Sequence, residues 1–435
     1  MTFTDLGCYG NPDVKTPSID KLATEGMRFT KFYNPTPTCS PLRQSLYTGI
    51  YPIRNGAHPN HSQVYEGVKS LPHILSPLGY RVAIVGKRHE APAEAFPFEM
   101  LGGSHGDSGK TPDGADLPLA KAREFIERDL NQPWCLVVSS NQPHTPWNRG
   151  DASAYPPETL TLPPYLVDTP ATRAGLSKYY AEITYMDHQV GEVMRILRET
   201  GEKSETAFLW LSEQGSNFPF CKWTCYDTGI HAAAVMRWPG KIKANSESSA
   251  LINYVDVVPT FVDLAGGKPA DQDFDGKSFA AVLRGEKKTH NDFVFATHTT
   301  RGIYSGSEAY ATRAITDGHS LFIRNLHADS LFQNTVTERD SIFKSWKSLD
   351  SDFARERVSS YQKRPTSELF DLKSDPWCQT NLAGDAGSIS KQKAMQQELE
   401  SWMKQQGDLG DATERDAENR QPKLKPWAKK NSYAN

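Results

Sequence analysis

The sequence predicts an α/β protein with a mostly parallel β-sheet covered by helices on both faces, followed by a smaller α+β domain. Strand-like apolar runs alternate with amphipathic helical stretches over about the first 265 residues, an order typical of parallel sheets buried between helices. After about residue 285 this alternation stops. We therefore place the α/β domain at residues 1–285 and the smaller domain, with a polar tail, at residues 286–435.

Local signals place the individual elements. Thr16 and Pro17 open a helix, Ile19 and Leu22 give it an apolar face, and Gly26 ends it. We expect residues 148–174, rich in Pro, Thr and Asp, to be a surface excursion, and the tail from about residue 407 to be loosely held. The other predicted elements are strands at 27–32, 81–85, 135–139, 207–211 and within 293–324, and helices at 70–78, 115–129, 177–199 and 391–404.

Composition excludes several classes of protein. The 435 residues are 37% hydrophobic and 23% charged, which is ordinary for a globular chain. A net charge of −3 gives no reason to expect nucleic acid or an anionic membrane as a partner. The sequence contains no run of about 18 apolar residues, so it predicts no membrane span. The N-terminal residues lack the features of a secretory signal.

The six cysteines are too few for a disulfide scaffold. Cys221 and Cys225 could form a bridge or bind a metal, but no second pair stands at zinc-site spacing. We favour buried or paired thiols.

Polar residues follow several predicted strands, where ligands bind in parallel α/β sheets. Cys39 lies just ahead of a predicted helix in which Ser40 would cap and Pro41 would take the first position. Free amides, the helix dipole and Arg43 would form an anion pocket beside the sulfur. Taken alone, such a cysteine is more often an inert buried thiol.

Two further segments carry basic groups. Lys87 and His89 follow the strand at 81–85 and would point the same way in an extended chain. They suit an oxyanion substrate or form a solvated basic turn. His144, between two prolines, suits a general acid or is a structural histidine.

The last segment offers oxygen ligands. Glu213 and Gln214 follow the strand at 207–211, with Lys222 eight residues beyond Gln214. Carboxylate and amide oxygens are hard ligands of the kind that Ca²⁺ or Mg²⁺ takes. In isolation, the commoner interpretation is a polar strand end.

Taken together, these motifs resemble one family. C-x-P-x-R followed by T-G resembles the signature of type I sulfatases, and LGCYGNPDVKTPSIDKLATEGMRF, GKRH, QPHTP, YDTGIHAAAVMRWPGKIK and SELFDLKSDPWCQTNLA resemble other segments of that family. The similarity covers nearly the whole chain and implies the alkaline-phosphatase-like fold. GKRHEAPAEAFPFE and PPYLVDTPATRAGL also resemble the heparan N-sulfatase (sulfamidase) branch.

The resemblance implies a covalent mechanism. A formylglycine-generating enzyme would oxidise Cys39 to an aldehyde whose hydrate attacks sulfur, and Arg43 would steady that hydrate. Ca²⁺, or else Mg²⁺, would be held by Glu213, Gln214 and the modified Cys39. The other implied roles are sulfate binding by Lys87 and Lys222, protonation of the leaving atom by His144, and proton uptake by His89.

Three departures from the family pattern bear on activity. Leu42 stands where the family has a small residue, and Glu213-Gln214 replaces Asp-Asn or Asp-His. The family's paired Asp-Asp, on a first strand, would precede the segment from Thr2 to Gly10. One explanation, which we favour, is a longer chain that includes that strand and an export signal and is periplasmic or secreted. The other is a short chain that binds metal poorly. A missing strand should leave a neighbour unpaired or open a groove.

Three functions remain open at this stage. The first is hydrolysis of a sulfate ester or N-sulfate on a small molecule or glycan. The second is hydrolysis of a phosphonate or phosphate ester on the same fold. The third is a non-catalytic binder of sulfated glycans that lacks the Asp pair.

Overall fold

A computed structural model describes residues 1–103 and 116–421. The strands in these ranges are β1 (Met27–Tyr33), β2 (Arg81–Gly86), β3 (Glu99–Met100), β4 (Trp134–Ser139), β5 (Phe208–Leu211), β6 (His231–Arg237), β7 (Ser246–Ser248), β8 (Ile252–Asn253), β9 (Val294–His298), β10 (Thr312–Thr316), β11 (Ser320–Asn325) and β12 (Ser367–Asp371). The α-helices are α1 (Pro17–Glu25), α2 (Cys39–Thr48), α3 (Pro52–Asn55), α4 (Leu71–Leu75), α5 (Leu119–Glu127), α6 (Pro170–Glu199), α7 (Asp227–Ile230), α8 (Val257–Leu264), α9 (Ala280–Leu283), α10 (Thr335–Arg339), α11 (Ser341–Ser348), α12 (Asp352–Gln362), α13 (Ile389–Gln405) and α14 (Asp411–Asp416).

The N-terminal part contains two sheets. The larger has the order β5-β6-β1-β7, with β8 also paired to β1. Strand β6 runs antiparallel to both of its neighbours, whereas β7 and β8 run parallel to β1. All seven residues of β6 are buried, as expected of a strand covered on both faces. The smaller sheet, β3-β2-β4, is entirely parallel.

A cavity separates the two sheets. Strands β4 and β5 are the edge strands that line it, and its volume is about 560 Å³. Leu136 and Val138 of β4 and Leu209 of β5 are only half-buried there, although similar side chains in neighbouring strands are fully buried.

The C-terminal part is built on a four-stranded antiparallel sheet with the order β12-β11-β10-β9. Helix α13 packs on it, with the Trp402 ring stacked on Phe295 at 4.7 Å between centroids. Helices α10–α12 lie between β11 and β12 in the chain and were not predicted. One of them contacts α6, where Trp346 Nε1 donates to Thr172 Oγ1 at 2.9 Å.

Two segments predicted to lie at the surface are exposed over much of their length but are anchored in the core. Tyr155, Tyr165 and Leu166, in the predicted excursion, are buried in the main core, where the Tyr155 ring contacts Tyr180 of α6. The chain after residue 407 is also held: Asp408 forms a buried ion pair with Arg313 at 2.5 Å. Residues 422–435 lie outside the described residues, as does residue 115 of a predicted helix that the structure shows at Leu119–Glu127.

Candidate active site

Cys39 is the first residue of α2, and it is buried. Thr38, with extended backbone, is the N-cap, so the helix begins earlier than predicted. The predicted cap, Ser40, is already helical, and its hydroxyl donates instead to the carbonyl oxygen of His89 at 2.9 Å. The sulfur therefore lies at a helix N-terminus, where the helix dipole favours negative charge.

Arg43 lies one turn further along α2 and ties it to two strand ends. Its Nε is 2.5 Å from Glu213 Oε1, just beyond β5, and its Nη1 donates to Ser139 Oγ at the end of β4. Burial alone would raise the pKa of Glu213, but Arg43, Lys87 and Lys222 outweigh it and hold that pKa well below its usual range. Glu213 is therefore ionised and partly balances these cations.

Lys87 comes directly after β2 and is almost fully buried at 2% exposure. Its backbone N–H donates to the carbonyl oxygen of Ser139 at 2.7 Å, which fixes the turn between the two strand ends. An ammonium group buried this deeply requires a negative partner or ligand. Glu213 meets part of that requirement, and an anionic substrate would meet the rest.

Lys222 and His144 form a hydrogen-bonded pair. Their Nζ and Nε2 atoms are 3.0 Å apart, and His144 Nδ1 lies 2.6 Å from the carbonyl oxygen of Thr145. Since that carbonyl can only accept, Nδ1 carries the proton and Nε2 accepts from the ammonium group. Lys222, followed by burial and Lys87, lowers the pKa of His144 well below its usual value, so the imidazole is neutral.

His61 completes the cluster and was missed from the sequence. Its Nδ1 lies 2.9 Å from Nε2 of His89. Burial, followed by Lys87 and Arg43, lowers the pKa of His89 well below its usual value. Within the sequence, His61 is one histidine in a loop without a motif, so only the folded chain reveals its position beside His89.

The predicted metal ligands meet only part of what calcium requires. The Gln214 side-chain oxygen is buried without a hydrogen-bond partner and could ligate a cation, but Glu213 is already paired with Arg43. No group of three or more His, Cys, Asp or Glu side chains among the described residues could hold a metal. Calcium takes six to eight oxygens, so Glu213, Gln214 and Cys39 do not complete a calcium site by themselves.

The cysteine pair after β5 is structural. Cys221 and Cys225 are buried and unbridged, and the sulfur of Cys221 lies 3.2 Å from the Tyr165 hydroxyl oxygen. Burial raises the pKa of Cys225 to about 12, so this thiol stays protonated. The buried-thiol interpretation is confirmed.

The six predicted catalytic residues thus converge, from α2 and from segments that follow β2, β4 and β5, on one basic pocket. A family model described as Sulfatase matches residues 1–267, more than half of the chain. This chain belongs to the sulfatase family. It is accordingly an enzyme that hydrolyses sulfuric esters, as the sequence motifs predicted. The six residues predicted to be catalytic, which meet in this pocket, are Cys39, Arg43, Lys87, His89, His144 and Lys222.

Similar sulfatases match most of the chain. An ulvan-active sulfatase of Formosa agariphila is 31% identical over 412 residues, covering 93% of this chain and 78% of that protein. The N-sulphoglucosamine sulphohydrolase of Homo sapiens is 25% identical, covering 92% of this chain and 87% of that protein. The predicted kinship with a sulfamidase is therefore confirmed.

Solved structures show the same fold. A putative sulfatase of Bacteroides fragilis has a TM-score of 0.70 at 19% identity, with 95% of each chain covered. A protein solved with its substrate D-glucosamine-2-N,6-O-disulfate has a TM-score of 0.69 at 22% identity, covering 94% of this chain and 97% of that one. The predicted alkaline-phosphatase-like fold with a smaller C-terminal part is confirmed. In residues 1–103 and 116–421, no helix has the length and apolarity to cross a bilayer.

Proposed function

We propose that this sulfatase removes sulfate from a sulfated glycan through Cys39 after its conversion to formylglycine. The observation that carries the proposal is the position of Cys39 at the start of α2, in the electrostatic field of Arg43 and Lys222. The relatives that act on ulvan and on N-sulphoglucosamine support a glycan as the substrate. A separate formylglycine-generating enzyme would be the partner that modifies Cys39.

In this proposal the cations bind the sulfate group. The hydrate of the modified Cys39 supplies the hydroxyl that attacks sulfur, forming a covalent sulfate ester as the sugar leaves. Lys87 and Lys222 bind sulfate oxygens and stabilise the negative charge that develops on them. Arg43 keeps its side chain between the helix and Glu213, so the pocket is assembled before the substrate arrives.

Proton transfer divides between two histidine sites. Because Lys222 holds His144 neutral at Nε2, the proton for the leaving oxygen or nitrogen comes from the Lys222 ammonium group, which His144 orients, rather than from an imidazolium. Burial lowers the pKa of Lys222, which makes its ammonium group a better acid. His89 removes a proton from the second hydroxyl of the hydrate, so that sulfate leaves and the aldehyde returns.

We also propose that the site binds Ca²⁺, which requires more oxygen ligands than Glu213 and Gln214 provide. Glu213 and the unpartnered oxygen of Gln214 would supply two side-chain oxygens. The remaining ligands would be waters, substrate oxygens or groups outside residues 1–103 and 116–421. Calcium titration by isothermal calorimetry, with Gln214→Ala as the paired variant, measures whether these two positions contribute.

The test combines modification with turnover. The chain is expressed with a formylglycine-generating enzyme, and Cys39 is examined by peptide mass spectrometry. Sulfate release is then measured on an O-sulfated and an N-sulfated glucosamine and compared with hydrolysis of an aryl phosphate. We expect an aldehyde at Cys39 and faster sulfate release than phosphate release. Cys8→Ser is the matched control and should leave both unchanged.

An unmodified thiol at Cys39, with the modifying enzyme active on another substrate, would refute the formylglycine step. Faster hydrolysis of the aryl phosphate would instead favour a phosphoryl hydrolase on this fold. Binding of the sulfated sugars without release of sulfate would identify a non-catalytic binder.

A further inference from the structure

His89 must pass on any proton it accepts. Its Nδ1 atom is shielded from solvent. Burial, followed by Lys87 and Arg43, lowers the pKa of His89 well below its usual value, although Glu213 opposes that shift. At neutral pH, hydrolysis of a sulfate monoester gives an alcohol, a sulfate dianion and one proton. An enzyme that hydrolyses an O-sulfate ester therefore releases a proton in each cycle, from a pocket that already holds three cations.

His61 connects His89 to the surface. His61 Nδ1 and His89 Nε2 lie 2.9 Å apart, and the ring centroids are 4.7 Å apart with a 53° tilt. His61 is an exposed residue, whereas His89 is half-buried. Nε2 of His89 thus contacts a residue that reaches solvent, whereas Nδ1 of His89 is buried.

The backbone holds His61 firmly in this position. Its φ of 56° lies in the left-handed region that non-glycine residues seldom adopt. On one side, Asn60 donates from its side-chain nitrogen to the carbonyl oxygen of Gly302 at 3.2 Å. On the other side, the carbonyl oxygen of Ser62 accepts from Gln44 Nε2 on α2, the helix of Cys39, at 3.1 Å. Such conformations cost free energy and concentrate at functional sites.

We propose that His61 is a proton relay between His89 and solvent. His89 accepts the hydrate proton on Nδ1, and the proton on its Nε2 moves to Nδ1 of His61. The proton on His61 Nε2 then leaves to water. One proton enters and one leaves each ring, so both rings remain neutral. The relay rests on the proposed function, because the proton it carries comes from sulfate hydrolysis.

The test uses the full chain with Cys39 converted and an O-sulfated glucosamine as substrate. His61→Ala should lower kcat about tenfold or more, with KM unchanged, and added imidazole should restore much of the lost rate. The wild type should show no dependence on imidazole. His188→Ala, which changes an exposed histidine of α6, is the matched control and should behave like the wild type.

His61→Asn distinguishes a relay from a positioning residue. The asparagine amide can replace Nδ1 as a hydrogen-bond partner of His89 but cannot pass a proton through. We expect it to be as slow as His61→Ala and to be restored by imidazole. A wild-type rate in His61→Asn would overturn the relay and show that His61 only orients His89.

The remaining outcomes also decide the question. A raised KM with unchanged kcat in His61→Ala would overturn the relay in favour of a substrate contact. A wild-type rate in His61→Ala would refute the relay alone. Absence of sulfate release by the converted wild type would refute the proposed function and the relay together. Nitrogen-15 spectra of the imidazoles that show no hydrogen bond between His61 and His89 would refute the relay whatever the activity.

Discussion

The C-terminal sheet of this sulfatase and the β4 and β5 edge strands of its N-terminal part differ in how completely their residues are buried. In the C-terminal sheet, every residue of β10 is buried between two antiparallel neighbours. In the N-terminal part, most residues of β4 and β5 are only half-buried and line a cavity of about 560 Å³. Arg43, His144 and Glu213 line the same cavity. The candidate catalytic residues therefore lie in the less completely packed region. The four-stranded C-terminal sheet is called the continuous sheet below.

Stability and chemistry are therefore divided between the two regions. The continuous sheet gains from burying aromatic and aliphatic side chains, whereas the walls of the cavity carry polar groups that must stay available to a substrate. Loosely packed regions open at lower free energy than the core. Substitutions at the cavity should accordingly affect activity more than stability, and substitutions in the continuous sheet should do the reverse.

The largest expected effect is on catalysis at the cavity. Lys87→Ala and His144→Ala should each lower kcat/KM for sulfate release by a factor of about 10² or more, because they remove a positioned charge and part of the acid pair. Arg324→Ala, which removes a surface ion pair with Glu400 on the continuous sheet, should keep normal activity. Initial rates on the O-sulfated sugar measure both. A normal rate in either cavity variant would contradict its assigned role.

The next prediction compares the loss in the free energy of unfolding for one Leu→Ala substitution in each region. Leu321 of β11 is fully buried, and its replacement by Ala should lower the free energy of unfolding by about 2–5 kcal/mol. Leu209 of β5 is half-buried at the cavity, and Leu209→Ala should cost about 1 kcal/mol, since less apolar area leaves a packed environment. Urea unfolding of the two variants gives both values. Equal losses would show that the cavity wall is packed as tightly as the continuous sheet.

A further effect, confined to acid pH, concerns the contribution of His58 to stability. Burial, followed by Arg313, lowers the pKa of His58 from 6.5 to about 4. The unfolded chain therefore binds more protons between these values, so the contribution of His58 to stability is present above about pH 6.5 and is lost as the pH falls toward 4. His58→Gln should reduce the fall in stability across that window by on the order of 3 kcal/mol. Thermal unfolding at several pH values measures it.

His188→Gln, at an exposed position of α6, is the matched control for that experiment and should keep the pH dependence of the wild type. An unchanged dependence in His58→Gln would mean that other buried histidines, such as His298, account for the loss. His298 is fully buried and its pKa is also lowered well below the usual value, so its variant would then be the next to examine.

Most elements of the N-terminal part could be predicted because their signals are local. The helix from Pro17 ends at Glu25 before Gly26, and the strands at 81–86 and 134–139 match their apolar runs. Helix α6 begins at Pro170, earlier than the predicted residue 177. Its first turn lies in the Pro- and Thr-rich stretch that was interpreted as surface, where the cap from Thr169 was the available signal.

The candidate site could be predicted because four polar segments each followed a strand or opened a helix. What could not be predicted was how these side chains pair. The pairing of Lys222 with His144 makes that histidine neutral, and the pairing of Arg43 with Glu213 occupies an expected metal ligand. Each depends on residues far apart in the chain.

By itself, the sequence determined the family, most helices and strands of the N-terminal part, and six of the candidate site residues, because Pro, Gly, apolar period and short motifs act over a few residues. Only the tertiary structure decided which of these groups touch. It brought His61 to His89, buried Asp408 against Arg313, and left a cavity between β4 and β5. Those outcomes follow from packing and charge between distant segments, which local sequence patterns do not encode.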